Sequence, residues 1–180
     1  MQHNGVARRT AGVVAAGVVV ACLSAVPADA ATAKSTKCPS TTYTIDSKKN
    51  YFIKSWWNGT HLKDGPGGTI TVSVTKSGTL SATASASTDV SVKAIVAKAK
   101  VSVSASVTAS VSVTVGHQFS HDITKGKYGN AQYGSWGYKV AFTKKKVSYN
   151  GYGYCSTHTS HGTAILPTTA TGWKYWETKS

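Results

Sequence analysis

From Gly68 to Ile123 apolar and polar positions alternate with a period of two, the pattern of β-strands that keep one face dry and the other wet. Helical periodicity is absent from most of this stretch. Between Ile70 and Val96 the apolar set sits on even positions: Ile70, Val72, Val74, Leu80, Ala82, Ala84, Ala86, Val90 and Val92. From Val101 to Ile123 it sits on odd positions, so the phase flips inside Lys93–Lys100. Face matching then constrains the turns. A three-residue loop, Lys76-Ser77-Gly78, pairs Val74 with Leu80, Val72 with Ala82 and Ile70 with Ala84, and puts Gly78 at the left-handed bulge position such loops require. By the same logic Ser87-Thr88-Asp89 pairs Ala86 with Val90. The flip has two solutions. One is a two-residue turn at Ala97-Lys98, which has no Gly, Pro, Asn or Asp to support it. The other is a bulge or short helical turn with Val92, Ile95, Val96 and Ala99 on one side.

Outside this run, Asn58-Gly59 and Asn150-Gly151 are tight-turn signals. The second pairs Tyr149 with Tyr152 and Val147 with Tyr154, which makes one aromatic face continuous across a hairpin. Asp64-Gly-Pro-Gly-Gly68 marks a turn or hinge after an N-terminal strand region, Tyr43 to Trp57. Alternation resumes through Trp136, Tyr138, Val140 and Phe142. With no long helical pattern, the predicted fold is all-β, an antiparallel sandwich or an elongated sheet with long amphipathic strands.

Lys100–Val115 reads as one strand of unusual length, since 16 residues at about 3.3 Å each span about 53 Å. One face carries Val101, Val103, Ala105, Val107, Ala109, Val111, Val113 and Val115; the other carries only Ser and Thr. Small apolar residues on one side and Ser/Thr on the other match a membrane-crossing barrel strand, for which about 9 to 11 tilted residues suffice. The run from Leu80 to Ile123, followed by Thr124–Tyr128 and the strand Gln132–Val140, resembles the Ser/Thr-rich insertion region and following strands of aerolysin-type (epsilon-toxin/mosquitocidal) β-pore-forming proteins. It is also similar to small secreted actinobacterial β-rich proteins of unassigned role. The resemblance is compositional and covers a third to a half of the chain after its leader. It implies an elongated aerolysin-like β-fold, secretion as a soluble monomer, and oligomerisation in which amphipathic hairpins form a barrel. The candidate membrane hairpin is then carried by Leu80, Val90, Val92, Val101, Val103, Val107, Val111, Val113 and Val115. This chain is shorter than that family and leaves little room for a separate receptor-binding domain. Its alternative uses are a half-buried sandwich strand or a self-associating cross-β element.

The N-terminal segment changes where this protein is expected to act. Residues 1–30 read as a secretory signal, with Arg8-Arg9 as the basic region, Ala11 to Ala25 as the apolar core and Ala28-Asp29-Ala30 as the cleavage site. That leaves 31–180 as a single secreted β-domain. A competing reading makes Val19-Val20-Ala21-Cys22 a lipobox, with Cys22 acylated. After cleavage Cys38 and Cys155 remain, and an even count in an exported chain predicts one disulfide. With no C-x-x-C pair, neither thiol reads as a zinc ligand, and no cofactor or metal is predicted.

Cleavage removes Arg8, Arg9 and Asp29 from totals of 20 basic and 6 acidic residues, which leaves 18 against 5 and a net charge of +13. Every remaining cation is a lysine, without the planar fork that reads phosphates or guanine edges, so nucleic acid is not the expected partner. A cationic surface outside the cell favours an anionic polymer or anionic lipid head groups instead. Trp56, Trp57 and Trp136 are the candidate contact residues, able to stack on sugars or sit at a bilayer interface. Lys144-Lys145-Lys146 supply attraction to anions, or simply guard an edge strand against pairing.

Catalysis finds little to work with. His117 and His121 lie too far apart on a strand to chelate one ion, His158 and His161 fall in a polar segment, and His61 stands alone. No G-x-S-x-G elbow and no paired carboxylates occur. The sequence therefore predicts a non-enzymatic secreted β-protein that binds anionic envelope or membrane surfaces, with a hairpin able to insert. The alternative is an extracellular structural or adhesion protein, a homo-oligomer built through its Val/Ser strands.

Overall fold

A computed structural model describes residues 38–179 of the chain. The signal segment, its cleavage site and Cys22 lie outside the described residues. One strand organises the rest. β8 (Tyr128–Tyr149) is 22 residues long and is paired on both edges. Along one edge β1 (Ser40–Lys54) covers its C-terminal part and β2 (His61–Asp64) its N-terminal part. Along the other edge β9 (Cys155–Leu166) and β10 (Thr171–Thr178) do the same, and β5 (Thr83–Ala86) extends the sheet beyond β9. Two small sheets complete the fold, β3 (Gly68–Ser73) with β7 (Gln118–Ile123) and β4 (Gly78–Ser81) with β6 (Ser110–Val113). Every pairing is antiparallel, so the predicted all-β class holds.

β8 buries different faces in its two halves. In the first half its odd face carries Ala131 and Tyr133, which pack against Val72, Ile70 and Ile123 of β3–β7 and against Leu80 and Val113 of β4–β6. In the second half its even face carries Val140 and Phe142, which pack with Leu166 and Ala164 of β9 under a helix. The other two half-faces lie outside these cores, with Asn130 and Gln132 buried and Trp136 exposed on the first, and Lys139 and Lys145 exposed on the second. Glycines permit the close approaches: a Cβ on Gly134 would stand 2.2 Å from the Ile53 carbonyl oxygen, and one on Gly137 would stand 2.3 Å from that of Leu166.

The phase flip is that helix. α1 (Val92–Ser102) starts at Ser91, whose Oγ accepts from the Ala94 N–H at 3.3 Å, and it buries Ile95, Val96 and Ala99. Of the two solutions for residues 93–100, the helical one is observed, but extended to 11 residues. Ala and Lys, three each of the residues in this element, are good helix formers, and no Gly or Pro interrupts them. The Ser91 N–H in turn donates to Tyr43 Oη at 2.9 Å, which fixes the helix start to β1.

Several register expectations fail. Lys76-Ser77-Gly78 does not fold β3 back on β4: Val72 faces Phe119 and Leu80 faces Val111. Val74 and Leu80 still share a cluster, so the hydrophobic face was right and the partner strand wrong. Ala86 pairs with Gly162 of β9, not with Val90. Lys100–Val115 is not one strand. Val101 ends the helix, Val107 makes a single bridge to Thr168, and only Ser110–Val113 is extended. The Thr108 N–H donates to Pro167 O and the Thr169 N–H to Ser106 O, so this segment is tied to the β9–β10 connection rather than to a hairpin partner.

At the β8–β9 turn the loop is longer than expected. Tyr149 faces Cys155 and Val147 faces Thr157, while Asn150 Oδ1 accepts from the Tyr152 and Tyr154 N–H groups. Tyr152 and Tyr154 therefore stand in the loop, exposed, and do not extend an aromatic face. Cys38 and Cys155 are disulfide-bonded, as their even count predicted, and the bridge joins the start of β1 to the start of β9. Among the described residues no helix is long and apolar enough to cross a membrane, which leaves crossing by strands untouched.

Candidate functional site: an aromatic and lysine platform

The even face of the first half of β8 is where chemistry-bearing side chains converge. Residues directly opposite on neighbouring strands share a face, so the register sets out the surface in rows. Trp176, Asn130 and Lys63 form the first row, Lys174, Gln132 and His61 the second, Gly172, Gly134 and Lys54 the third, and Trp136 and Phe52 the fourth. The Trp56–Gly59 turn rises at one side, and Trp176, Lys174, Gln132, His61, Lys54 and Phe52 of these rows line, with that turn, a cleft of about 1160 Å3. None of the residues lining it is acidic.

Its floor is built from small and buried groups. Gly134 has no side chain, and Phe52 lies across that gap, 4.6 Å from Trp136 between ring centroids. Gln132 is buried, and its Nε2 donates to Ser55 O and Thr60 O, each at 3.0 Å, pinning both ends of the turn that carries Trp56. Thr60 Oγ1 closes the same turn by donating to Trp57 O at 2.6 Å. Gly59 sits at φ +82°, a left-handed conformation that glycine supplies without strain. Ser55, only 3% exposed, lines the cleft with an Oγ that has no hydrogen-bond partner.

Each lysine on the platform is posted on a ring. Lys54 Nζ is 4.1 Å from the Trp56 ring centroid, Lys63 Nζ 4.8 Å from that of Tyr128, and Lys174 Nζ 5.7 Å from that of Phe52. His61 stacks on Trp176 at 6.1 Å. At exposed sites such contacts are worth about 0.5–1 kcal/mol, enough to orient an ammonium and too little to stop it turning to an anion.

Of the residues that sequence singled out, Trp56 and Trp57 line the cleft and Trp136 stands beside it against Phe52. Trp56 is 78% exposed and Trp136 is exposed beside Phe52. Trp57 turns inward, packs on the Ile53–Leu80 cluster and donates its Nε1 to Lys76 O at 2.9 Å. Lys144, Lys145 and Lys146 lie far along β8, paired on both sides, so they guard no edge; Lys144 Nζ donates to Asp89 O.

The candidate membrane hairpin is dispersed. Leu80, Val107 and Val113 are core residues, Val90, Val92, Val103 and Val111 are half-buried, and Val101 and Val115 are exposed. Their alternation does not mark one continuous amphipathic face. Sequence reasoning passed over Phe52, Lys54 and Lys174, which come together with His61 and Trp176 only through pairing with β8.

On the opposite face, Glu177 closes the fold. Its carboxylate accepts from the Thr124 N–H at 2.9 Å and from Tyr175 Oη at 3.0 Å, and pairs with Lys127 at 3.3 Å. The Thr124 hydrogen bond, more than any other contact, holds its pKa down at about 2. Tyr175 is pushed up by desolvation and by its bond to Glu177. Among the described residues no group of three or more His, Cys, Asp or Glu side chains could hold a metal ion. No protein-family model matches the chain, and no curated protein matches it.

Proposed function

We propose that this is a secreted, non-catalytic β-protein that binds anionic surfaces of a cell envelope or membrane. The observation that carries the reading is the platform: aromatic rings and two lysines, Lys54 and Lys174, in a cleft without a carboxylate, with Lys63 on the same face. Aromatic rings supply contact area at low entropy cost, and lysines supply attraction that salt weakens. The disulfide fits an oxidising compartment. Co-sedimentation with phosphatidylglycerol-containing vesicles and retention on an immobilised polyanion, both at low salt, test it. Binding to at least one that falls as salt rises is the expected result, and absence of both refutes it.

Membrane insertion is the second reading, and it keeps the aerolysin-type resemblance as a proposal. What favours it is that Val101–Val115 alternates like a strand yet is folded as a helix end, turns and a four-residue strand. Refolding that stretch as a hairpin would expose Val107 and Val113 to lipid. Dye release from anionic liposomes is the expected signature, and binding without leakage refutes insertion. Self-association through a continuous Val/Ser strand, the alternative, finds no such strand in this conformation.

A further inference from the structure

We infer that the ligand of the platform is a linear anionic polysaccharide, a proposal that rests on the surface-binding reading above and narrows it to one chemistry. Three features of the platform separate this ligand from a bilayer or a compact anion.

The first is shape. The aromatic side chains line a cleft, and a flat bilayer surface cannot enter a concavity, whereas a single polymer strand can. The second is length. From the row of Trp176 to the row of Phe52 there are three steps of two residues, about 20 Å along the strand. A single phosphate or monosaccharide would touch one row; an extended chain of rings can touch all four. The third is the alternation of chemistry along that line. Rings at either end (Trp176, Phe52) bracket lysines in between (Lys174, Lys54), which matches a polymer whose units each present an apolar ring face and a carboxylate or sulfate.

The cleft also holds hydroxyl-matching groups. Asn50 stands on its wall, and Ser55 contributes the unpartnered Oγ. A polar group left without a partner costs free energy that a sugar hydroxyl could recover if the turn opens to admit it. Single-stranded nucleic acid would use rings and cations as well, but among the described residues every Lys/Arg position is a lysine, and the chain carries a disulfide.

The test is titration calorimetry of the full oxidised chain with two anionic probes, an oligogalacturonate hexamer and a heparin hexasaccharide. Cellohexaose serves as the uncharged control, oligo-dT as the nucleic-acid control and phosphatidylglycerol vesicles as the lipid control. The expected result is binding of at least one anionic hexasaccharide, more tightly than cellohexaose and oligo-dT. Trp176→Ala should weaken it at least about tenfold, and Lys174→Gln roughly two- to fivefold. Lys145→Gln, on an exposed lysine outside the cleft, should leave it unchanged. Far-UV circular dichroism confirms that each variant is folded, and Lys174→Gln alters only an exposed side chain. Equal weakening by Lys145→Gln means diffuse charge attraction and overturns the proposal, as does tighter binding of oligo-dT. Binding to vesicles but to neither saccharide overturns it while leaving the surface-binding reading intact. Binding to none of the anionic probes removes both.

Discussion

Replacing Val101 and Val107 separately by alanine tests the helix and the turn that replace the expected long strand. On a continuous strand the two residues share the dry face and should cost the same. In the structure Val101 is 88% exposed on the last turn of α1, and Val107 is 1% exposed between the helix and β9. Val101→Ala removes almost no buried area and exchanges a β-branched residue for a better helix former, so stability should stay within about 0.5 kcal/mol of the parent. Val107→Ala deletes two buried methyl groups, a transfer loss of about 1.6 kcal/mol at about 0.8 kcal/mol each. The bonds from Thr108 N–H to Pro167 O and from Thr169 N–H to Ser106 O hold the backbone on either side. The site therefore collapses little, and the residual cavity raises the total to about 2–3 kcal/mol. Urea unfolding followed by tryptophan fluorescence reads the difference. With a slope of about 2 kcal/mol per molar, Val107→Ala should lower the midpoint by roughly 1 M while Val101→Ala leaves it in place. Equal losses at both positions would refute the helix and restore the strand.

Glu177 predicts an acid limb. Its carboxyl is held at about 2 against an ordinary value of 4.5, so its contribution is fully present above the unfolded value and is lost as pH falls toward the folded one. The stability gap between the parent and Glu177→Gln should shrink across that window, and a gap that stays constant contradicts the assignment. Gly134→Ala forces a methyl to within 2.2 Å of the Ile53 carbonyl oxygen, and should destabilise by about 1–3 kcal/mol or more; an unchanged melting temperature would mean β1 can move off β8. Reducing the disulfide opens a loop of 117 positions, for which chain entropy sets a ceiling of about 4–5 kcal/mol. The urea midpoint should fall on reduction, and a midpoint that does not move refutes a stabilising role.

The strands were readable because alternation is local: Ile70, Val72 and Val74 had to face inward whichever strand lay beside them. Pairing was not readable for the same reason. Val, Ser and Thr repeat so evenly that Leu80 satisfies its face against Val74 or Val111 equally well. Only the long-range demand of β7 for β3 and of β6 for β4 decides it. The helix was half visible, in the phase flip and in the spacing of Ile95, Val96 and Ala99. Its continuation to Ser102 was masked by a Val/Ser sequence that suits a strand. At the platform, Trp56 and Trp136 announced themselves by size. Lys174 did not, because nothing near it in sequence hints that β10 lies across β8 from β2. One signal was available, since Phe52 and Lys54, and likewise Lys174 and Trp176, share a strand face by their spacing of two.

The central position of β8 also sets a timetable for synthesis. Ser40 must wait for Val147, and Lys54 for Gly134, before either finds its hydrogen-bond partner. A nascent chain released as far as Gly126 has its whole first strand in hand and nothing to pair it with. Contacts of such sequence separation form late and slowly. The two small sheets, complete by Ile123, can form first, and the six-stranded sheet assembles only when β8 and β9 arrive.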